Sequence, residues 1–482
     1  GVKSMKAYEY FISKNDVEKI HENVLRILSE VGVKFENPKA LEVFKKHGAR
    51  VDGETVYIDR KMLEDALSTA PEKFTIYSCT KGEVTVGGGS MLVAGLSSNI
   101  YIQEDGKIRK MTNDDIIDQF KMNETSPITN CARFNFFLDT SGMTPEQIAY
   151  GPLAMILKYS TKHHLTARVC ALGLPHEKVY EVMRKGYQLM KRFEGVEDKV
   201  VIMEGVNPLS PLSYDYDPIE KLFALCDEGQ AIWIAPCSMP LLTGPASVAG
   251  TLATSVAETL AGIVLTQLVR PGTPVVFGNT SASTNMRTVQ LSIGAPEASL
   301  INYATAALAD YYKLPFRTGG ALSDAKDFDV QAGAESMMML YSTLSCKPDF
   351  AIHFAGTMGT FNVVCYEKYI LDEEIFNMVQ RILRGIDFSD EKFCFEEIKK
   401  VGPRGNFLRG RTPKAYREDY YLAQLFNKED PMQWQNGGAV SVREVAKRKV
   451  KERIESYSCP EITKEQEESL APYLPDKYRE KI

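Results

Sequence analysis

The chain lacks the features that mark secreted, nucleic-acid-binding or metal-dependent proteins. Its nine cysteines form no CxxC pair and no paired spacing, which argues against a disulfide framework and favours a reducing cytosol. No basic stripe occurs, and 57 basic against 63 acidic residues give a net charge of −6, so nucleic acid is not an expected partner. The six histidines include no HxH or HExxH spacing, so no metal site is expected.

Long apolar runs are also missing. No run reaches the roughly 18 apolar residues that span a bilayer, and no signal peptide opens the chain. We therefore expect a cytoplasmic protein with no membrane partner.

What the sequence does contain is a repeated alternation of short apolar segments and helical segments. The apolar segments recur roughly every 35–45 residues, which suits a strand, a crossover helix and two loops. Most are continuously apolar, as in parallel strands buried on both faces. The eight segments are Leu92–Ala94, Ala132–Phe137, Leu165–Ala171, Val200–Glu204, Ala231–Ala235, Pro274–Phe277, Phe316–Thr318 and Phe350–Phe354. The pattern predicts an α/β protein built on a parallel (β/α)8 TIM barrel. A doubly wound sheet is the alternative, which the even spacing disfavours.

The length of 482 residues requires additions to a bare barrel of about 250 residues. We predict an N-terminal extension of helices and a small sheet over residues 1–90, the barrel over 91–385, and a helical C-terminal extension over 386–482. In the last part the pattern predicts helices at Tyr369–Arg384, Glu391–Lys400, Thr412–Phe426 and Val442–Ser456.

The active site of such a barrel lies at the C-terminal ends of its strands. These ends are rich in aromatic, amide and small residues and poor in convergent charges, with no nucleophile–base pair or phosphate loop. A rim of this kind suits a ligand held by shape, cation–π contacts and a few hydrogen bonds. The candidate ligand-binding residues at strand ends are Tyr101, Phe136, Glu204, Asn207, His353 and Phe354.

Five short motifs together resemble the trimethylamine methyltransferase family. They are Asn207–Leu212 (NPLSPL), Gly294–Glu297 (GAPE), Lys313–Arg317 (KLPFR), Ser323–Lys326 (SDAK) and Asp329–Glu335 (DVQAGAE). The resemblance implies a (β/α)8 barrel that moves a methyl group from a methylated amine to Co(I) of a separate corrinoid protein. It also adds Glu297 and Gln331, which lie in these motifs, to the substrate-binding candidates.

One departure from the family pattern narrows the expected substrate. Trimethylamine enzymes of the family carry pyrrolysine near the end of the eighth strand, a position that aligns near Thr360, where only standard residues stand. The resemblance therefore implies the branch without pyrrolysine, which demethylates quaternary amines such as glycine betaine, proline betaine or carnitine.

The chemistry of a quaternary amine makes few demands on the protein. Its nitrogen already carries the positive charge, so a methyl group can be attacked in line and no acid–base residue is needed; the protein contributes positioning and electrostatics. We thus expect no catalytic residue in the strict sense and no tightly bound cofactor, with the cobalamin carried by the partner. The long C-terminal helices and the family suggest a homo-oligomer.

Structural explanations compete with each assignment. Tyr101 and Phe136 would otherwise be packing residues, His353 a buried hydrogen-bonded histidine, and Glu204 part of a buried salt bridge with Arg168. Glu297 and Gln331 would act as helix-cap or supporting residues, while Asp324 and Lys326 would form an ion pair. Two other functions stay open: a non-catalytic betaine-binding barrel, and a lyase or aldolase, for which Lys326 is the only well-placed lysine.

Overall fold

The computed structural model describes residues 6–408 and 410–482 of the chain. The N-terminal part combines three helices with short strands, as the sequence predicts. Its elements are α1 (Lys14–Arg26), β1 (Val33–Phe35), α2 (Pro38–Lys46), β2 (Arg50–Asp52), β3 (Thr55–Tyr57), α3 (Arg60–Thr69), β4 (Phe74–Ser78) and β5 (Gly82–Val86). A π-helical turn at Ile27–Val31 continues α1.

The central part alternates strands and helices. Its elements are β6 (Leu92–Val93), β7 (Tyr101–Glu104), β8 (Lys107–Lys110), α4 (Asn113–Thr125), α5 (Pro145–Tyr159), α6 (His176–Glu194), β9 (Met203–Gly205), β10 (Ser213–Tyr214), α7 (Tyr216–Asp227), β11 (Ala231–Ile234), α8 (Val248–Val269), β12 (Val275–Gly278), β13 (Ser283–Asn285), β14 (Gln290–Ser292), α9 (Pro296–Tyr312), β15 (Phe316–Gly319), α10 (Val330–Ser345), β16 (Phe350–Ile352), β17 (Thr357–Met358), β18 (Val363–Val364) and α11 (Tyr366–Arg384).

Five further helices follow: α12 (Phe395–Val401), α13 (Lys414–Asp419), α14 (Pro431–Asn436), α15 (Val442–Glu455) and α16 (Lys464–Leu470). The predicted helix over Thr412–Phe426 is wrong in extent, because only the six residues of α13 are helical there. Helix α15 packs against α4 and α11.

The central sheet is parallel and curled. Its six strands run in the order β6-β16-β15-β12-β11-β9, so that the last predicted strand pairs with the first. Single β-bridges continue the sheet from Ala94 to Cys131 and from Cys131 to His163. The six strands coincide with six of the eight predicted segments.

The second and third predicted strands, 132–137 and 165–171, do not form. Cys131 and His163, just before these segments, form only isolated β-bridges. In these segments, backbone N–H and C=O groups form hydrogen bonds with side chains instead of with a neighbouring strand. The Ser97 hydroxyl accepts from the Asn135 N–H at 2.7 Å, and the Thr166 hydroxyl donates to the Ala132 carbonyl. The Glu204 carboxylate accepts from the Val169 N–H at 3.1 Å.

Seven of the eight strand positions, all except that of β15, contribute to one apolar cluster inside the curled sheet. Its central members are Leu92, Ala94, Cys131, Leu165, Met203, Ala231, Val276, Phe350 and Ile352. The β4–β5 hairpin adds Ile76 and Val86 and covers the N-terminal ends of the strands, where the Tyr77 N–H donates to the Val200 carbonyl. The C-terminal ends of the strands are therefore the end where a ligand can enter.

Helix α8 is long and apolar enough to cross a membrane, which the search for apolar runs did not anticipate. It is nevertheless mostly buried, because it packs against α1, α2 and α3 on one side and against β11 and β12 on the other. It is a core helix that joins the N-terminal part to the sheet.

Candidate active site

Two large side chains lie above the apolar cluster, toward the C-terminal ends of the strands. Neighbouring residues on a strand point to opposite faces. Ala231 lies in the inner cluster, so Trp233 also points inward, whereas Phe316 packs outward and leaves Arg317 to point inward. The Arg317 guanidinium carbon lies 4.7 Å from the centroid of the Trp233 ring.

Glycines make room for these two side chains. A Cβ atom on Gly205 would lie 2.5 Å from the Trp233 ring, and one on Gly278 would lie 2.9 Å from Cδ of Arg317. Both distances are shorter than a carbon–carbon contact. The strands on either side of Trp233 and Arg317 therefore require glycine at this level.

Three arginines converge on this space. Arg133 follows the second strand position, Arg168 follows the third, and Arg317 lies on β15. Arg133 is 6% exposed and Arg317 only 2%. We call the space bounded by these arginines, Trp233 and His353 the mouth.

The arginines of the mouth form no ion pair within the described part of the chain, and Glu204 offsets the charge of Arg133 only from a longer distance. No carboxylate among those residues comes within 4.0 Å of Arg133, Arg168 or Arg317. The buried Nε atoms of Arg133 and Arg317, and one terminal nitrogen of Arg317, have no hydrogen-bond partner. Buried charges in proteins are ordinarily paired, so this cluster is arranged to receive an anion.

The pKa values of Arg133 and Arg317 show the same cost of holding buried charge without a partner. Burial, with repulsion from Arg168 and Arg317, lowers the pKa of Arg133 to about 9. Burial likewise lowers the pKa of Arg317 to about 9. A bound carboxylate would favour the charged form of both groups and raise each pKa again.

His353 lies at the end of β16 in the left-handed region, with φ of 55°, and its ring centroid is 5.1 Å from that of Phe361. Burial, followed by repulsion from Arg133, Arg317 and Arg168, holds its pKa well below the usual value. The imidazole is therefore neutral at physiological pH. A neutral ring beside Phe361 can contact a cation without repelling it.

The backbone around Phe361 is held in an unusual conformation. Thr360 and Phe361 also have positive φ, 59° and 67°. The Asn99 amide donates to the Phe361 carbonyl at 2.7 Å, and the Thr360 hydroxyl donates to the Leu291 carbonyl at 3.0 Å. Positive φ in non-glycine residues is costly and clusters at ligand sites, so the segment that ends in Phe361 is built to place this ring.

Three of the residues predicted from sequence do not line the mouth. Glu204 points outward, where it accepts from Tyr187 at 3.0 Å and lies 3.8 Å from Lys221; its salt-bridge partner is thus Lys221 rather than Arg168. Phe354 is fully buried against Phe376 of α11. Gln331 is exposed and donates to Glu335 at 2.8 Å.

The other predicted residues lie at the rim. Asn207 is exposed and accepts from the Ala235 N–H at 3.0 Å, which ties the loop after β9 to the end of β11. Phe136 and Glu297 are half-buried, Glu297 in the first turn of α9. Tyr101 is half-buried and packs on a small cluster that includes Met358 and Val363.

The recognised motifs have a structural role in fixing the loops after β12 and β15. The Asp324 carboxylate accepts from the N–H groups of Ile293 and Gly294 at 3.1 and 2.8 Å. Glu335 accepts from the Ser323 hydroxyl and the Asp324 N–H, both at 2.7 Å. The predicted ion pair between Asp324 and Lys326 is wrong, because Lys326 is exposed and donates to the Asp324 carbonyl instead.

The NPLSPL loop at the rim is held from below by a buried carboxylate. Glu258 of α8 accepts from the Ser210 hydroxyl and the Leu212 N–H, both at 2.8 Å. Burial outweighs these two hydrogen bonds and raises the pKa of Glu258 to about 7. Ser210 in turn accepts from Ser238 at 3.1 Å, so Glu258 fixes the loop relative to the end of β11.

Away from the mouth, Cys79, His164 and Glu194 have potential ligand atoms within 4.8 Å of one another. Glu194 is already engaged, since it accepts from His164 at 2.6 Å and from the Cys79 N–H at 2.5 Å. This group lies beside the β4–β5 hairpin, at the covered end of the sheet.

Sequence reasoning missed the residues that dominate the mouth: Arg133, Arg168, Trp233 and Arg317. It described the strand ends as poor in convergent charge, and that description is wrong. The available signal was an arginine within each of three predicted apolar strands, at Ala-Arg-Phe, Ala-Arg-Val and Phe-Arg-Thr. A charged residue inside a buried strand is rare without a partner, so three such residues around one sheet pointed to an anion site.

Comparison with known proteins agrees with the resemblance of the motifs. The chain is 40% identical over 479 residues to the proline betaine:corrinoid methyltransferase of Eubacterium limosum, covering 97% of this chain and 98% of that protein. It is 36% identical to the L-carnitine:corrinoid methyltransferase of the same organism, covering 98% of each. It is 34% identical to the glycine betaine methyltransferase of Desulfitobacterium hafniense (strain Y51), covering 97% of each.

The family model described as trimethylamine methyltransferase (MTTB) matches residues 2–481, which is nearly the whole chain. The chain therefore belongs to the trimethylamine methyltransferase family.

Proposed function

We propose that this protein transfers a methyl group from a betaine to Co(I) of a separate corrinoid protein, as the names of its relatives indicate for those enzymes. The three named substrates share a quaternary ammonium and a carboxylate. A site for such a molecule must hold an anion at one end and a cation at the other.

The observation that carries this proposal is the unpaired arginine cluster of the mouth. Arg133 and Arg317 offer buried N–H groups that have no partner, and Arg168 adds a third positive charge. Planar guanidinium groups match the geometry of a carboxylate and bind it with two parallel hydrogen bonds. In this assignment the betaine carboxylate neutralises the arginine charges, whose burial is unfavourable in the free protein.

The ammonium end would then lie against the His353–Phe361 pair. Both rings are uncharged, and an aromatic face within about 6 Å of a cation contributes roughly 0.5–2 kcal/mol. Phe136, half-buried after the second strand position, is a third candidate for this cage. Of the residues predicted from sequence, His353 and Phe136 stay in the proposed site, with Asn207 and Glu297 at its rim.

The reaction needs little from the protein once the substrate is oriented. One N–CH3 bond would point out of the mouth toward the cobalt of the partner. Co(I) would supply the electron pair for the new cobalt–carbon bond, and the carbon–nitrogen bond would break with its electron pair left on nitrogen. The product is a neutral tertiary amine, so no proton has to move. Fixing the carboxylate deep in the mouth orients the opposite end of the molecule, which is catalysis by positioning.

The wider predictions fit this scheme. We propose that the curled sheet closes into a (β/α)8 barrel, because seven of the eight strand positions share one inner cluster and single β-bridges extend the sheet through the second and third positions. The cobalamin would enter with the partner at the C-terminal ends of the strands. The cytoplasmic location and the three-part division of the chain stay predictions.

The lyase alternative loses its best candidate residue, because Lys326 is exposed and hydrogen-bonded to the Asp324 carbonyl.

A methylation assay distinguishes the proposed methyltransferase from the non-catalytic binding protein. The enzyme would be mixed with Co(I) cobalamin on a cognate corrinoid protein, and methylation followed by the visible spectrum across betaines, with trimethylamine as control. We expect methylation with one betaine and none with trimethylamine. Betaine binding without methylation would support a binding protein and contradict the proposal.

A further inference from the structure

A segment of the C-terminal part stands away from the rest of the molecule. Among the described residues between Ile382 and Glu418, which we call the arm, none is buried. Within it lie α12 and α13, of seven and six residues. Isolated helices shorter than about 12 residues are marginal in water, so these need something to pack against.

The arm is nevertheless rich in large apolar side chains. Ten of them are between 38% and 81% exposed. They are Ile382, Leu383, Ile386, Phe388, Phe393, Phe395, Ile398, Phe407, Leu408 and Tyr416. A buried aromatic side chain covers about 150–250 Å², so covering this set would remove on the order of 800 Å² of surface from water on the arm alone. That is about one partner's share of a standard stable interface.

Both ends of the arm are fixed at one place. Arg381 donates to the Asp419 carbonyl at 2.6 Å, and Arg384 donates to the Glu418 carbonyl. Lys392 forms an ion pair with Asp419 at 2.9 Å. The arm is thus a closed hook with a fixed root, and not a loose tail.

The root lies at the end of the molecule opposite the mouth. The groove beside it is lined by Gly89, Met91 and Lys347 together with Leu383 and Tyr420. Gly89 and Met91 come just before β6, and Lys347 comes just before β16. The arm therefore projects from the N-terminal ends of the strands.

We propose that the arm is the interface with a second copy of this chain. A corrinoid protein must reach the C-terminal ends of the strands and must leave again after each methyl transfer, so it does not fit an apolar surface at the opposite end. A surface this apolar requires a permanent cover. In a two-fold dimer the same patch meets itself, which lets each hook cover the other and the adjoining groove.

A second groove supports this arrangement. It is continuous with the first through Gly89, Lys347 and Leu383, and it extends over aromatic residues that include Phe11 and Tyr341. Its volume of about 930 Å³ is sufficient for several aromatic side chains of a partner's hook.

The test compares the full-length protein with a Phe388→Asp, Phe395→Asp double variant by analytical ultracentrifugation. We expect a dimer or a multiple of it for the wild type, and at least a 100-fold rise in dissociation constant for the variant, since central aromatic residues dominate interface energy. The matched control is Leu172→Asp with Val330→Asp, which changes two apolar residues outside the arm that are similarly or more exposed, 67% and 87%. The control should keep the wild-type mass.

A second readout uses a natural cysteine of the arm. Cys394 and Cys459 are both exposed in the single chain. In the assembled wild type, Cys394 should react with a maleimide at least tenfold more slowly than Cys459, and the double variant should abolish that difference. A monomeric wild type, a variant that keeps its mass, or an arm that is protected only when corrinoid protein is added would each overturn the proposal. Unchanged melting and methyl transfer in the variant would show that it is folded.

Discussion

Replacing Arg317 with methionine gives the sharpest test of the proposed carboxylate site, because it should change activity and stability in opposite directions. Methionine keeps the length and apolar stem of the side chain and removes only the guanidinium. In the free protein that group is 2% exposed and has two nitrogen atoms without partners. Removing the guanidinium should therefore stabilise the free protein and weaken only the binding of substrate.

The magnitudes follow from the structure. The fall in the pKa of Arg317 from 12.5 to about 9 corresponds to a cost of about 5 kcal/mol for holding the charge in the free protein. Loss of the contact with Trp233 offsets about 1–2 kcal/mol of that gain. We expect the free energy of unfolding to rise by about 3–4 kcal/mol. A lost charge-assisted hydrogen bond costs about 1.5–3 kcal/mol, so kcat/KM should fall about 10- to 150-fold.

Thermal unfolding without substrate and methyl transfer to the corrinoid protein provide the two measurements. The matched control is Arg453→Met, since Arg453 is also partly buried but pairs with Glu373 at 2.7 Å. Removing Arg453 leaves Glu373 buried without its partner, which typically costs about 3–5 kcal/mol. This control should melt lower and keep its kcat/KM. A second comparison uses the methyl ester of the preferred betaine: wild type should prefer the betaine, and Arg317→Met should lose that preference.

Two outcomes would refute the reasoning. If Arg317→Met melts well below the wild type, the charge is balanced within the protein and the anion site does not exist. If its kcat/KM for the betaine is unchanged, the carboxylate binds elsewhere, whatever the melting temperature shows.

Three further predictions follow from the same geometry. The KM for the betaine should rise as pH increases from 8 to 10, because Arg133 and Arg317, whose pKa values are lowered to about 9, lose the charge that binds the carboxylate; a KM for the methyl ester that rises equally would contradict this. Gly278→Ala should lower kcat/KM by at least tenfold, since its Cβ would lie 2.9 Å from Cδ of Arg317, whereas Gly333→Ala, with open space around it, should be neutral in the same assay. The pKa of Glu258, raised from 4.5 to about 7, means that the folded state holds its proton more tightly than the unfolded state, so Glu258 lowers stability by about 3 kcal/mol as pH rises from 4.5 through 7. Glu258→Gln should therefore gain stability relative to wild type between pH 5 and pH 8 in denaturant titrations, and an equal difference at both pH values would show that Glu258 does not titrate there.

The periodicity of the sequence determined most of the architecture. Six of the eight predicted strands form because continuous apolar segments such as Ala231–Ile234 are stable only when buried on both faces. The two that fail lie around Ala132 and Leu165. There, Ser97, Thr166 and Glu204 bond the backbone in place of a ladder, and these bonds join residues more than 30 positions apart. No local pattern contains that information.

The sequence by itself also determined the family, since an ordered set of short motifs survives in the linear chain. Only the tertiary structure decided which residues form the site. Glu204 alternates with the inward Met203 and therefore faces outward, whereas Phe354 has the parity of the inward Phe350 and Ile352 and faces outward only because His353 before it is left-handed. Arg133, Arg168 and Arg317 are separated by 35 and 149 positions in the chain. Their convergence arises when the curled sheet brings distant strand ends together, and it is this convergence, without a carboxylate in ion-pair contact, that supports the proposed anion site.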